Sequence, residues 1–307
     1  MDQLPINMSQ KIEIPSVRLL GENRSTVEEL KALASSLGLE FGWHYLLDLT
    51  WILQNLGPLK GQFIMDAGAG TGILQWYLAA QGAEVLSVDR GSRAALPLRF
   101  RKRFNVVGLR NEGLTVSSSM GPKPDLQPAA DLIKASLRQP KKTLALASDY
   151  INNLGIERAP GRVIIYNQDL KTLQDILDNS LDAVVAVSAL EHNSPEDLTR
   201  VVTELMRVLK PGGVLLASLC AGRDQDWFHQ SSAGWCYTDA TLRRIFDLPA
   251  NAPSNYAQYD ELFAALRDSA ELRNNLANFY SQSGENGMPW GKWDPQYQPV
   301  CVCKVKE

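Results

Sequence analysis

Long hydrophobic runs are missing from this chain of 307 residues, and a predicted membrane-spanning helix is excluded because no stretch of about 18 apolar positions occurs. The N-terminal sequence MDQLPINMSQKIEIP also lacks the apolar segment of a signal peptide, so we expect a cytoplasmic protein. Cysteine and histidine are scarce, with four and three residues, and neither a C-x-x-C pair nor zinc-ligand spacing is present. We therefore expect buried free thiols and no zinc site.

Charge of one sign is concentrated in one region, although the whole chain carries a net charge of only −3. Positions 90–142 hold 12 Lys and Arg residues against 3 acids. The run RFRKRF at 99–104 places Phe100 and Phe104 one helical turn apart, which suits a peripheral membrane or phosphate-binding face as well as a solvated helix. The basic region favours an anionic small molecule or a phosphorylated or lipid-linked glycan as partner, while the acidic balance of the whole chain disfavours nucleic acid.

Apolar runs typical of buried strands alternate with helical patterns through the middle of the chain. This alternation predicts an α/β fold with a doubly wound, mostly parallel sheet. The predicted strands are 62–67, 83–89, 162–167, 182–188, 214–219 and 301–305. The predicted helices are 25–38 with a capping box at Ser25, 43–56, 71–81, 194–209, and pieces at 238–246 and 259–280.

Three regions are predicted along the chain. Residues 1–58 form an N-terminal arm with helices, and residues 59–221 form a ligand-binding core with a basic insert at about 90–160. Residues 222–307 form a substrate cap rich in tryptophan together with the final strand. The insert and the C-terminal region are predicted to cover one end of the sheet, where a substrate would be held.

A glycine-rich loop carries the chemistry. Asp66-Ala-Gly68-Ala-Gly70-Thr-Gly72 follows the first predicted core strand and precedes a helix. Glycines allow a sharp turn and close approach of a ligand, and free amides at a helix start favour an anionic group. Asp89 ends the next strand, where a carboxylate can accept hydrogen bonds from both hydroxyls of a ribose. Together these features predict a nucleoside ligand at the carboxyl ends of the strands.

The identity of the nucleoside depends on the sixth position of the loop. A dinucleotide fingerprint G-x-G-x-x-G/A needs a small residue there, but counting from Gly68 gives Ile73 and counting from Gly70 gives Gln75. The triphosphate-binding pattern G-x-x-x-x-G-K-S/T is absent as well. The loop resembles instead the first motif of the class I S-adenosylmethionine (SAM) dependent methyltransferases, of the methyltransferase type 11 kind.

Four further segments resemble motifs of that family in the same order: 165–170 (IYNQDL), 178–185 (DNSLDAVV), 188–192 (SALEH) and 207–213 (RVLKPGG). The resemblance implies a seven-stranded Rossmann-like sheet whose last strand is antiparallel, with SAM as cofactor and S-adenosyl-L-homocysteine as product. It places Asp66 near the methionine end of SAM and Gly68, Gly70 and Gly72 around its carboxylate and amino group. It also implies that Asp89 binds the ribose and Asp169 the adenine amino group. A cap of its own loop is the alternative role of Asp169, and Leu170 either contacts the adenine ring or packs as a core leucine.

The proposed catalytic residue is His192, which follows the fourth core strand and could take a proton from an attacking hydroxyl or amine. Substrate contact or loop support is the alternative role, and Glu191 beside it is either a ligand contact or a surface residue. The aromatic run Trp43-His44-Tyr45 either covers the cofactor or packs in the core. No metal is implied, since no suitable acid cluster follows the fourth strand.

The sequence therefore predicts a SAM-dependent methyltransferase that acts on a hydroxyl, or an amine, of a small molecule or glycan. A nicotinamide-dependent oxidoreductase and a non-catalytic SAM-binding module remain alternatives. The acceptor atom and the oligomeric state are left open by the sequence.

Overall fold

The chain folds into a mixed α/β architecture with one central sheet. The structure is a computed structural model, and it describes residues 9–93, 96–108, 158–276 and 293–307. Most of the predicted basic insert at 90–160 lies outside the described residues, as do positions 277–280 of the predicted helix 259–280. The described strands are β1 (Lys11–Glu13), β2 (Phe63–Ala67), β3 (Glu84–Asp89), β4 (Asn105–Val107), β5 (Arg162–Asn167), β6 (Leu181–Val187), β7 (Leu209–Ala221), β8 (Trp227–His229), β9 (Gly234–Tyr237) and β10 (Gln298–Val305).

Nine α-helices occur in the same ranges: α1 (Arg18–Glu22), α2 (Arg24–Leu37), α3 (Tyr45–Asn55), α4 (Leu74–Ala80), α5 (Leu98–Arg103), α6 (Pro195–Val208), α7 (Asp239–Ile245), α8 (Tyr259–Asp268) and α9 (Ala270–Leu276). Two short 3₁₀ turns span Leu190–His192 and Tyr256–Gln258. The order of strands in the sheet is β1-β10-β7-β6-β2-β3-β5-β4, and β9 joins β7 and β8 beside this path.

Parallel pairing dominates the sheet, as predicted. Neighbours from β4 through β7 are all parallel, and β9 adds a further parallel pair with β7. The predicted final strand is present as β10, which runs antiparallel between β7 and β1. The chain leaves β2 for β3 on one side and returns to β6 on the other, so the strand order reverses at β2. Ligands of open α/β sheets bind at such a reversal, beyond the carboxyl ends of the strands.

The predicted count of seven strands is too low, because the described residues form ten. The strands outside the six predicted ranges are short: β1, β4 and β8 have three residues each, and β9 has four. Such short strands depend on a partner for their formation and carry little alternation of their own. Residues 11–13 lie in the predicted N-terminal arm, for which no strand is predicted, yet they pair with Cys301–Cys303 at the sheet edge.

Both faces of the sheet are buried, which explains the continuous apolar runs of its central strands. Alternate strand residues point to opposite faces. Ile64, Val85 and Val163 belong to a core that includes side chains from α2 to α5. Met65 and Leu86 belong to a second core, which includes side chains from α6 and α7.

Helix boundaries agree with the predictions where a local signal sets them. Ser194 accepts a hydrogen bond from the Asp197 amide at 3.2 Å and caps α6, as predicted. Gly38 ends α2 in the left-handed region, with φ of 58°. The predicted capping box at Ser25 is wrong, because α2 already begins at Arg24 immediately after α1 and Asn23, leaving Ser25 within its first turn.

Three other predicted boundaries differ from the structure. The helix predicted at 259–280 is divided at Ser269 into α8 and α9 within the described residues. The strand predicted at 214–219 is longer in the structure, because β7 already begins at Leu209, and its register with β6 shifts between Leu181 and Ala183. The predicted helix at 71–81 starts only at Leu74, so Thr71 to Ile73 remain part of the glycine loop.

Candidate cofactor-binding site

A cavity of about 320 Å³ lies at the carboxyl ends of the parallel strands. This volume falls in the range of small-molecule sites. Its walls come from the segments that follow β2, β3, β5 and β6, and they consist of Gly68, Asp89, Arg90, Gln168, Asp169, Leu170, Ser188, Ala189, His192 and Asn193. Five of the eight predicted site residues are therefore brought together here. Asp66, Gly70 and Gly72 are not in the wall.

The first glycine of the loop, Gly68, is required both by the backbone conformation and by the lack of room for a side chain. Gly68 has φ of 75°, and a Cβ added there would lie 2.4 Å from the Cβ of Ala189. The Gly68 and Ala69 amides donate to the Val88 carbonyl at 2.8 and 3.0 Å, which ties the loop to the end of β3. The loop therefore passes close to the segment after β6 only because no side chain intervenes.

Asp89 connects the loop to the cavity. Its Oδ2 accepts a hydrogen bond from the Gly70 amide at 2.9 Å, and its Oδ1 accepts one from the Gly91 amide at 2.6 Å. The side chain is only half-buried. Because each carboxylate oxygen can accept more than one hydrogen bond, Asp89 retains acceptor capacity for a ligand hydroxyl.

Asp66 lies beneath the loop and is 3% exposed. Burial, which removes the hydration of the charged form, raises the pKa of its carboxyl to about 7, although the positive charge of Arg93 acts in the opposite direction. The negative charge of Asp89 adds to the increase. Asp66 is thus buried behind the loop and does not line the cavity.

Three buried polar residues behind the loop were missed by the sequence analysis. Gln75 is fully buried in α4, Ser87 is fully buried in β3, and Arg93 is 5% exposed. Ser87 Oγ and Gln75 Oε1 are 2.7 Å apart, and Arg93 Nη1 lies 2.5 Å from Ser87 Oγ. In the sequence, Gln75 is distinguished only as a residue too large for a dinucleotide fingerprint, and Arg93 is one of the charges of a basic region.

Asp169 and Leu170 follow β5 and line the cavity. Asp169 Oδ1 accepts a hydrogen bond from the Lys171 amide at 2.9 Å, and its Oδ2 lies 4.0 Å from Arg90 Nη1. Leu170 is half-buried and packs against the second core. Asp169 therefore caps its own loop while one side of the residue faces the cavity.

The segment after β6 is strained and polar. Ser188 has φ of 45°, which is uncommon for a residue other than glycine, and its hydroxyl donates to Glu191 Oε1. Glu191 is 2% exposed, so it is not the surface residue of the alternative reading. Burial raises the pKa of the Glu191 carboxyl, and the neighbouring His192 opposes this increase.

His192 is exposed and borders the cavity. Its Nδ1 lies 3.0 Å from the Ala233 carbonyl oxygen at the turn between β8 and β9. Because a carbonyl only accepts, Nδ1 carries the proton in this contact, and Nε2 is the basic nitrogen of the neutral ring. His192 can therefore accept a proton through Nε2.

The aromatic run at 43–45 packs in the core, and none of its residues lines the cavity. Trp43 and His44 are 1% and 2% exposed. His44 Nδ1 lies 2.7 Å from Asp48 Oδ2, and Trp43 Nε1 donates to the Tyr297 hydroxyl at 3.3 Å. Tyr45 is half-buried, and burial raises the pKa of its hydroxyl. The core-packing alternative accounts for Trp43 and His44.

The aromatic residues of the basic run do not face solvent. Phe100 and Phe104 are 2% and 0% exposed, and both rings pack against Trp76 at centroid distances of 4.8 and 5.0 Å. Arg99 Nε donates to the Leu37 carbonyl at the end of α2. This arrangement contradicts a membrane contact through 99–104 that depends on the two phenylalanines, because their rings are needed inside the protein.

Within residues 9–93, 96–108, 158–276 and 293–307, no helix is long and apolar enough to cross a membrane. In the same ranges, no cluster of three or more His, Cys, Asp or Glu side chains is arranged to hold a metal ion.

Comparison with known proteins gives one family match and several partial relatives. The methyltransferase domain family (Methyltransf_11) matches residues 138–217, a range that contains β5, β6, α6 and most of β7. A ubiquinone biosynthesis O-methyltransferase from Leptothrix cholodnii is 44% identical over 48 residues, which are 16% of this chain and 20% of that protein. A tRNA U34 carboxymethyltransferase from Glaesserella parasuis is 30% identical over 106 residues, covering 29% of this chain and 33% of that protein.

The chain thus spans a fifth to a third of the length of these curated relatives. Among solved structures, phosphoethanolamine N-methyltransferase 2 from Haemonchus contortus in complex with SAM has 17% identity and a TM-score of 0.46, covering 94% of this chain and 59% of the other. Magnesium protoporphyrin IX methyltransferase from Synechocystis PCC 6803 with bound SAM has 13% identity and a TM-score of 0.38, covering 100% of this chain and 86% of the other.

Proposed function

We propose that this chain is a class I SAM-dependent methyltransferase and that it transfers the methyl group of SAM to a hydroxyl, or to an amine, of a small molecule or a glycan. The observation that carries the proposal is the convergence of Gly68, Asp89 and Asp169 on one cavity at the reversal point of the sheet. SAM is the proposed cofactor, and when bound it would supply an electrophilic methyl group on a sulfonium.

The residues around the cavity fit that cofactor. Gly68 leaves space that any Cβ would fill, and the half-buried Asp89 has acceptor capacity left for the two ribose hydroxyls. Asp169 would accept a hydrogen bond from the adenine amino group, and Leu170 would contact the ring. Asp66, Gly70 and Gly72 would act from behind the cavity surface by holding the loop that faces the methionine end.

His192 is proposed as the residue that removes the proton of the acceptor. It borders the cavity, and its Nε2 is the basic nitrogen while Nδ1 is held by the Ala233 carbonyl. General bases of this kind contribute about 10²–10⁴-fold to a rate. The protein's other task is alignment, since a well-held acceptor gains effective concentration relative to free collision.

An oxygen acceptor is favoured by the relatives named as O-methyltransferases, whose identity to this chain is 44% over 45 to 48 residues. The chain is also partly similar to proteins named as tRNA carboxymethyltransferases. A tRNA acceptor therefore has to be tested as well, because the sequence predicts that the substrate is not a nucleic acid. A panel of phenols, glycans, amines and bulk tRNA, with release of S-adenosylhomocysteine as the signal, separates these classes. Methylation of tRNA alone would overturn the small-molecule part of the proposal.

Binding calorimetry tests the cofactor first. SAM and S-adenosylhomocysteine should bind, whereas NAD should not. Asp89→Ala should weaken S-adenosylhomocysteine by roughly 10-fold or more, because hydrogen bonds to a charged group contribute about 1.5–3 kcal/mol. The control is Asp224→Ala, whose side chain is 83% exposed. Binding of NAD in place of SAM would favour an oxidoreductase, and binding of SAM without turnover on any acceptor would favour a non-catalytic module.

A further inference from the structure

The buried carboxamide of Gln75 lies directly behind the glycine loop. Its Nε2 is 3.3 Å from the Ala69 carbonyl oxygen, 3.3 Å from that of Gly70, and 3.0 Å from that of Gly72. Carbonyl oxygens only accept hydrogen bonds, so the nitrogen end of the amide has to face the loop. The orientation of the Gln75 amide is therefore set by chemistry.

The same reasoning fixes the direction of the bonds on the other side of Gln75. Its Oε1 faces Ser87 Oγ at 2.7 Å, so the Ser87 hydroxyl donates to it. The hydroxyl can then only accept from Arg93 Nη1, which lies 2.5 Å away. The donation runs in one direction from the Arg93 guanidinium through Ser87 and Gln75 to the carbonyls of the loop.

Arg93 is itself held in a single position. Its Nη2 donates to the carbonyls of Ser87 and Tyr166 at 3.0 and 3.1 Å, and its Nε donates to Asn167 Oδ1 at 3.2 Å. The charge of Arg93 also interacts with Asp66 and with Asp89. These contacts fix the buried Arg93 guanidinium at the origin of the chain of hydrogen bonds.

We propose that Gln75, held by Ser87 and Arg93, is a positioning residue that orients the glycine loop toward the amino-acid end of the methyl donor. The C=O and N–H of a trans peptide point in opposite directions. The Gly70 and Gly72 carbonyls point inward to Gln75, so the amides of Thr71 and Ile73 point away from it. Amides that point outward in this way would donate hydrogen bonds to the carboxylate at the amino-acid end of the donor.

This inference rests on the proposed function, and two ligands separate the two. S-adenosylhomocysteine contains the amino-acid end, whereas 5′-methylthioadenosine contains the same nucleoside without it. Loss of a residue that only supports the fold would weaken the binding of both ligands. Loss of a residue that orients the loop amides would weaken the binding of S-adenosylhomocysteine alone. The dissociation constants of both ligands are measured by calorimetry.

Gln75→Met keeps a side chain of similar size and removes both ends of the amide. We expect it to raise the dissociation constant of S-adenosylhomocysteine by roughly 10-fold or more, which is the effect of losing one or two hydrogen bonds. The dissociation constant of 5′-methylthioadenosine should stay within about twofold of the wild-type value. Gln54→Met is the matched control, because Gln54 is exposed on α3, and it should change neither ligand. A Gln75→Met protein that fails to fold is replaced in the comparison by Ser87→Ala, which leaves Gln75 in place and breaks only its link to Arg93.

Ser87→Ala should produce a smaller loss with the same preference for S-adenosylhomocysteine. Equal losses for the two ligands, or no loss in either variant, would overturn the positioning role while leaving the methyltransferase proposal intact. Failure of the wild-type protein to bind either ligand would overturn the proposed function and this inference with it.

Discussion

Replacing the buried Asp66 carboxyl by an amide tests the electrostatics of the site in the absence of any ligand. Burial raises the pKa of this group from 3.8 to about 7, so the folded protein binds a proton that the unfolded chain has released between those two values. The contribution of Asp66 to stability is therefore greatest below pH 3.8 and is lost as the pH rises through about 7. The difference of about three pKa units corresponds to roughly 4 kcal/mol at most.

The assay is urea unfolding of the wild type and Asp66→Asn, without ligand, at several values between pH 4.5 and 8. Groups common to both proteins cancel in the difference between their free energies of unfolding. We expect Asp66→Asn to gain stability relative to the wild type as the pH rises, by roughly 3 kcal/mol between pH 4.5 and 8, because part of the titration lies below pH 4.5. Asp224→Asn removes one exposed negative charge and should show no such trend. A difference between wild type and Asp66→Asn that is the same at every pH would refute the reasoning.

Three further substitutions test separate parts of the structure. Gly68→Ala should lower the free energy of unfolding by about 1–3 kcal/mol and weaken the binding of S-adenosylhomocysteine, because the residue has positive φ and the new Cβ would meet Ala189. Thermal melts and calorimetry measure both effects, with Gly21→Ala as the control, since a Cβ at Gly21 meets no atom within 4 Å. His192→Gln should lower kcat by about 10²-fold or more without changing the affinity for S-adenosylhomocysteine, and full turnover would remove the proposed base. Ser194→Ala should cost about 1 kcal/mol in urea unfolding through the lost cap of α6 and leave ligand binding unchanged.

The central fold could be predicted because its determinants are local. The strands β2, β3, β5 and β6 are apolar runs bounded by polar or turn residues, and Ser194-Pro195 marks a helix start. The glycine loop and Asp89 are likewise recognisable from spacing along the chain. Their convergence on one cavity with Asp169 and His192 follows from parallel strands that share one carboxyl edge.

The parts that could not be predicted depend on contacts between distant segments. Gln75, Ser87 and Arg93 are ordinary polar residues in sequence, and only tertiary packing brings them into one buried network. Phe100 and Phe104 were recognised as neighbours on a helix face, but which surface that face covers is decided by Trp76. The short strands at the sheet edges escaped detection for the same reason, since their partners are remote in sequence.

The antiparallel strand β10 has a consequence for how the chain folds during synthesis. It pairs along its whole length, Gln298–Val305, with β7, and on its other edge with Lys11–Glu13 of β1. On the ribosome, the earliest of these strands emerges long before its neighbour in the sheet has been translated. Such distant pairing slows folding, because the loop must close before the contact forms. The parallel strands can assemble first. The pairing of β1 with β10 can form only after the nearly 300 residues that separate the two strands have been translated.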